Sequence, residues 1–182
     1  ALLDDWLATL DTLIEACAQR PTREATPADF TSPILDLSAY DELRHQQGWS
    51  ADAVEDIARL SPMQAGLLFE SVLEESSPAY FVQMAYRLRG PLDPARFTEA
   101  WHQLAQRHTI LRTSVLHEGV PEPLQVVWRE RTPEIRVVDL RALPTEAQRN
   151  QIADQRTADL GRPFNLARDP LWRITIWQLR DD

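Results

Sequence analysis

The chain has 182 residues, 43% of them hydrophobic and 26% charged, with a formal net charge of −9. That length allows one domain with a real core, or a core plus an appendage. No run of about eighteen apolar residues marks a membrane span, the acidic start is unlike a signal peptide, and nothing resembles a basic, aromatic-studded nucleic-acid surface.

Cys17 is the sole cysteine, which excludes an internal disulfide and a cysteine-based zinc cage; the cytoplasm is the expected location. The acidity is local: residues 1–60 carry 12 acids against 4 arginines, and residues 61–182 carry 16 against 15. All 19 cations are arginine, which reads as the codon bias of a GC-rich genome.

Residues 2–19 predict an amphipathic helix, with Leu2, Leu3, Trp6, Leu7, Leu10, Leu13, Ile14 and Cys17 on one face. So wide a stripe needs something to pack against. With no cap before it, the helix is expected to begin inside a larger structure. Pro21, Pro27 and Pro33 then punctuate a polar linker ending at Ser38. Asp36 to Leu60 leans helical and acidic, with Gly48-Trp49-Ser50 separating two short helices and Ser50 capping the second. Its charge places it along the surface.

Pro62 opens a helix over 63–74, with Met63, Leu67, Leu68 and Val72 on its apolar side. Gly66 inside it costs about 1 kcal/mol relative to alanine. It reads either as close approach by a backbone or ligand, or as drift. Tyr80, Val82, Met84, Tyr86 and Leu88 alternate with Gln83, Arg87 and Arg89, the pattern of a half-buried strand. Asp93 as N-cap and Pro94 at the first helical position start a helix reaching Gln106. Leu92 and Phe97 stand as its hydrophobic staple.

Ile110, Leu111, Val115 and Leu116 read as a buried strand, and Arg112 lies inside it. A guanidinium stays charged at any working pH and is costly to bury alone. Arg112 therefore needs a carboxylate from elsewhere, or else points to solvent. After a turn at 117–121, Leu124 to Trp128 is a returning strand, and Ile135, Val137 and Val138 make another. Pro144 to Leu160 is a peripheral helix stopped by Gly161. Leu171 to Leu179 is apolar on both faces, the mark of a strand central in its sheet.

The stretch from Arg107 through Val115, RHTILRTSV, resembles the second core motif of nonribosomal peptide synthetase condensation domains, RHExLRTxF. LSPMQAGLLF, from Leu60 to Phe69, resembles their first, carried by Ser61, Pro62, Met63, Gln64, Gly66, Leu67 and Phe69. Residues 162–176 resemble the family's RPFxLxxxPLxRxxL stretch. TPADF, from Thr26 to Phe30, resembles the TPSDF signature that closes epimerization domains and some condensation domains; the alternative is a surface helix with a Pro-rich tail.

The resemblance implies an α/β fold like that of chloramphenicol acetyltransferase, a mixed β-sheet flanked by helices with an N-terminal helical appendage. It implies three parts: the tail of a preceding epimerization- or condensation-type domain at 1–35, an inter-domain linker at 36–60, and the N-terminal lobe of a condensation domain at 61–182. Such domains join donor and acceptor amino acids as an amide, both carried on phosphopantetheine arms of carrier proteins, with no cofactor bound directly. The expected partners are those carriers, the C-terminal lobe and neighbouring synthetase domains.

The family's HHxxxDG motif is expected shortly after Asp182. No catalytic residue is therefore expected in this chain, and none of His45, His102, His108 or His117 has a second ligand at metal spacing. By resemblance His108 takes a structural position. Arg112, or alternatively Arg107, awaits the motif's aspartate, and the chain alone is expected to be inactive. SPMQxGLLF, together with TPADF, implies a donor ending in a D-residue. The alternative is a scaffold that docks carrier proteins or a neighbouring enzyme without catalysis.

Overall fold

The computed structural model describes residues 2–19, 25–32, 34–73 and 80–180. Helix α1 (Leu2–Ala18) buries no residue, so its stripe of leucines faces outward. Pro27–Asp29 forms a short 3-10 turn, in which the Thr26 N–H and hydroxyl both donate to the Asp29 carboxylate at 2.9 Å. Pro21, Pro33 and residues 74–79 lie outside the described residues.

Helix α2 (Leu37–Gln47) is capped by Asp36, whose carboxylate accepts from the Ala39 N–H at 2.8 Å. It ends at Gly48, whose φ of 67° is left-handed and suits glycine. The second helix expected before Leu60 is instead a strand, β1 (Val54–Arg59). It pairs antiparallel with β3 (Leu124–Trp128), which also pairs antiparallel with β2 (Thr113–Leu116), in the order β1-β3-β2. Val54 faces Trp128 and Asp56 faces Val127, leaving Glu55 as a bulge. One extra residue turns the strand's period of two into a spacing of three, so Val54 and Ile57 both face the core.

That core lies between the sheet and α2. Tyr40 and Leu43 pack with Val54, Ile57, Leu124 and Val126, and Phe30 closes one side. Phe30 meets Tyr40 edge-on with ring centroids 5.2 Å apart. The Thr31 N–H and hydroxyl donate to the Asp56 carboxylate at 2.7 and 2.5 Å. The tail at 25–32 and the expected surface linker thus share one core with the sheet.

Helix α3 (Pro62–Leu73) buries only Leu68; Met63, Phe69 and Leu73 are exposed. A methyl group added at Gly66 meets nothing within 4 Å among the described residues, so no close approach by them explains the glycine. Gly66→Ala is expected to raise stability by about 0.5–1 kcal/mol, read as a higher urea midpoint at unchanged slope. A lowered midpoint would show that something does seat against that position.

Residues 81–89 form no helix and join no ladder among the described residues. Val82, Met84, Tyr86 and Leu88 are exposed, so the alternation foreseen there lacks the neighbour that would make it a strand. Helix α4 (Pro94–Arg107) begins as expected, with the Asp93 carboxylate accepting from the Ala95 and Arg96 N–H groups at 2.9 and 3.2 Å. Thr109–Arg112, foreseen as strand, is a 3-10 turn, and Ile110 is exposed. The turn folds the arginine back onto the end of α4.

Strand β4 (Glu134–Asp139) pairs parallel with β5 (Arg173–Gln178) across helix α5 (Thr145–Leu160). Gly161 ends α5 at a φ of −79°, without the left-handed turn expected of a C′ glycine. The two apolar faces of β5 predict a central strand, yet β4 is its single ladder partner among the described residues. Buried Gln148 of α5 donates to the Leu140 and Leu179 carbonyls at 2.9 and 3.1 Å, fastening the helix to the ends of both strands.

Candidate functional site

The last carbonyls of a helix have no partner within it and carry its negative dipole end. In α4 the Leu104 carbonyl accepts from the His108 N–H at 2.9 Å. The next two accept from Arg112: Nε donates to the Ala105 carbonyl at 2.8 Å, and Nη2 to the Gln106 carbonyl at 3.2 Å. Nη1 donates to Glu55 Oε2 at 2.7 Å, to the Arg129 carbonyl at 3.0 Å and to the Trp128 carbonyl. One guanidinium thereby ties the end of α4, the end of β3 and the bulge of β1. Arg112 is 3% exposed, and the Glu55 side chain is 37% exposed.

The carboxylate that Arg112 requires is therefore present in this chain. The buried charge of Arg112 predicts the need for a carboxylate but does not point to Glu55. The signal was there, in an acid flanked by Val54 and Ile57, but it is visible only once the bulge is known. Arg107 is exposed at the end of α4, outside this cluster. His108 is exposed too; it bridges α4 and the following turn through its backbone, its carbonyl accepting from the Leu111 N–H at 3.0 Å.

The residues resembling the first core motif build a helix start. The Ser61 N–H donates to Gln64 Oε1 at 2.8 Å and the Gln64 N–H to Ser61 Oγ at 3.3 Å, a reciprocal cap with Pro62 at the first helical position. Gln64 Nε2 then donates to Gln125 Oε1 at 2.7 Å, fastening α3 to β3. Leu67 lines the groove described next, while Met63 and Phe69 point outward.

An open groove of about 3180 Å³ runs between residues 81–90, α5 and β5. Small-molecule sites occupy roughly 300–1,000 Å³, so this one has the size for a polypeptide segment. Arginines prevail along it, Arg87, Arg89, Arg149 and Arg180 among them, against Glu118 and Asp159. One wall is pinned by Arg173, whose guanidinium lies 5.0 Å from the Phe81 ring and 4.4 Å from the Phe164 ring. Arg173 Nε also donates to Asp159 at 2.5 Å. Gln83 exchanges hydrogen bonds with Arg156, donating to its carbonyl at 3.1 Å and accepting from its Nε at 3.0 Å.

At the rim, the hydrogen bond from Arg162 holds the Glu134 carboxyl below its ordinary range. Hydrogen bonds from Arg141 bring exposed Asp139 down to about 2. Both are acids satisfied by neighbouring arginines rather than acids poised to exchange protons. Among the described residues, no group of three or more His, Cys, Asp or Glu could hold a metal ion.

The family profile of the condensation domain matches residues 54–182. The chain belongs to the condensation domain family. The match begins at β1, in agreement with the sheet that β1 joins. A mycosubtilin synthase polypeptide of Bacillus subtilis is 37% identical over 96% of this chain and 7% of its own length. Bacitracin synthase 3 of Bacillus licheniformis is 31% identical over 100% of this chain and 3% of its own. The chain thus spans a small fraction of these relatives.

Among solved structures, the starter condensation domain of rhizomide synthetase aligns with a TM-score of 0.57 at 20% identity, over 69% of this chain and 30% of that one. A four-domain nonribosomal peptide synthetase bound to AMP and glycine aligns at 0.56 and 24% identity, over 69% and 9%. The fold is the α/β, chloramphenicol-acetyltransferase-like one, here with helices flanking an antiparallel and a parallel sheet. No helix among the described residues is long and apolar enough to cross a membrane.

Proposed function

We propose that this chain is the N-terminal lobe of a condensation domain in a nonribosomal peptide synthetase, which joins a donor peptidyl or aminoacyl thioester to an acceptor amine as an amide. The observation that carries the reading is the family match over residues 54–182. Both substrates would arrive on phosphopantetheine arms of carrier proteins in the cytoplasm. The HHxxxDG motif would follow shortly after Asp182, with Arg112 meeting its aspartate. Residues 1–35 would close a preceding epimerization- or condensation-type domain, and the donor would end in a D-residue.

The groove's size, and an edge of β5 left unpaired among the described residues, support a second lobe laying a segment there. Incubated with loaded donor and acceptor carriers, the 182-residue chain is expected to yield no amide by mass spectrometry, whereas the parent synthetase yields one. Amide formed by the chain alone overturns the assignment, and a parent preferring an L-ended donor overturns the stereochemical part.

A second reading, a scaffold that docks carriers without catalysis, draws on the exposed Met63, Phe69 and Leu73 of α3. A carrier protein binding the chain tightly, beside a parent that makes no amide, would favour it.

A further inference from the structure

We propose that Glu55 is the positioning residue for Arg112: it neutralises the buried guanidinium and fixes the direction of its one remaining N–H. The inference rests on the reading above for its consequence in catalysis, but not for its geometry. Among the described residues, Glu55 supplies the carboxylate in ion-pair reach of Arg112, at 2.7 Å. The other four acceptors are backbone carbonyls, which carry partial charge and cannot cancel a full one.

Placement of the acid depends on the bulge. Without the extra residue at 55, strict alternation along β1 would place no carboxylate at that point while Val54 and Ile57 both face the core.

The hydrogens of the guanidinium are nearly all taken up within the lobe. A guanidinium has five N–H bonds. Nε donates to Ala105, the two hydrogens of Nη1 are shared by Glu55, Trp128 and Arg129, and one of Nη2 goes to Gln106. One Nη2 hydrogen is left without an acceptor among the described residues. With Nη1 held by Glu55 and Nε by α4, that hydrogen has a single direction. Arg112 is thus a junction with one carboxylate inside the lobe and capacity for one acceptor from outside it. Such an outside acceptor would engage through one N–H and not as a two-pronged pair.

The test uses Glu55→Gln, which keeps the shape and an acceptor oxygen but removes the charge, and Glu55→Asp, which keeps the charge. In the 182-residue chain labelled with 15N-arginine, the Arg112 Nε–H signal is assigned by its loss in Arg112→Lys. Its hydrogen exchange is expected to quicken at least about tenfold in Glu55→Gln, the equivalent of one charge-assisted hydrogen bond, and less in Glu55→Asp.

In the parent synthetase, Glu55→Gln is expected to lower the condensation kcat by a similar factor, with the acceptor KM and the adenylation rate unchanged. General loosening of the lobe would move those as well. Wild-type exchange in Glu55→Gln overturns the proposal, as does a wild-type kcat. If Glu55→Gln fails to fold, a folded Glu55→Asp with slow exchange supports it, and an equally unfolded Glu55→Asp overturns it. A wild-type parent that makes no amide defeats the functional reading instead, and the exchange measurement still decides Glu55.

Discussion

Arg112→Ala is expected to lower the unfolding free energy of the chain by about 3–5 kcal/mol, the range for breaking a buried ion pair by removing one partner. Glu55 is partly solvated, so much of the loss comes from elsewhere. The Ala105, Gln106, Trp128 and Arg129 carbonyls all lose their donor together, and a buried acceptor left without a partner costs about 1–3 kcal/mol. Arg112→Lys should recover little, because an ammonium offers three N–H groups at a point and cannot span the end of α4 and the end of β3 at once. The measurement is the urea midpoint of both variants, with the slope checked for constancy. A wild-type midpoint in Arg112→Ala would mean that water replaces the guanidinium at no cost, and the junction would lose its structural role.

Phe30→Ala should cost a similar amount, about 3–5 kcal/mol. Phe30 is 7% exposed, seated edge-on to Tyr40 in the cluster that also holds Val54 and Ile57. The prediction matters because Phe30 closes the TPADF stretch, which by resemblance ends a different domain. A loss of that size makes residues 25–32 a working part of this lobe's core, whatever domain precedes them. Leu7→Ala on α1 is the control: α1 buries no residue, and its substitution should leave the midpoint in place. An equally small effect of Phe30→Ala would return the tail to the surface.

Much of the architecture was legible because local chemistry and tertiary demand coincide. Asp93 and Pro94 announce α4, and Leu124 to Trp128 returns beside β2 as its apolar pattern requires. The need of Arg112 for a carboxylate was readable from charge alone. The misreadings have physical causes. The bulge gives Val54 and Ile57 a spacing of three, which imitates a helix.

Ile110 and Leu111 look like strand residues, but the arginine after them must reach back to α4, and a 3-10 turn does that. Residues 81–89 and β5 carry strong strand patterns whose completion depends on a neighbour, which no local pattern contains. The site itself divides the same way. The residues resembling the two core motifs were found, and the roles they take, a helix cap and a helix-end junction, became visible only with the backbone in place.

The pairing of Glu55 with Arg112 spans 57 residues, and its direction along the chain has a consequence for synthesis. A ribosome delivers the acid first. By the time the arginine emerges, β1 and α2 are already outside, and the helix whose end Arg112 caps has just been completed. Closing a loop of that length costs entropy that grows only slowly with length. The cation is thus born after everything it must bind except the end of β3, whose Trp128 carbonyl arrives 16 residues later and seals it. With the order reversed, a bare guanidinium would have to wait in a collapsing core for its counter-ion, the kind of half-buried intermediate that invites misfolding.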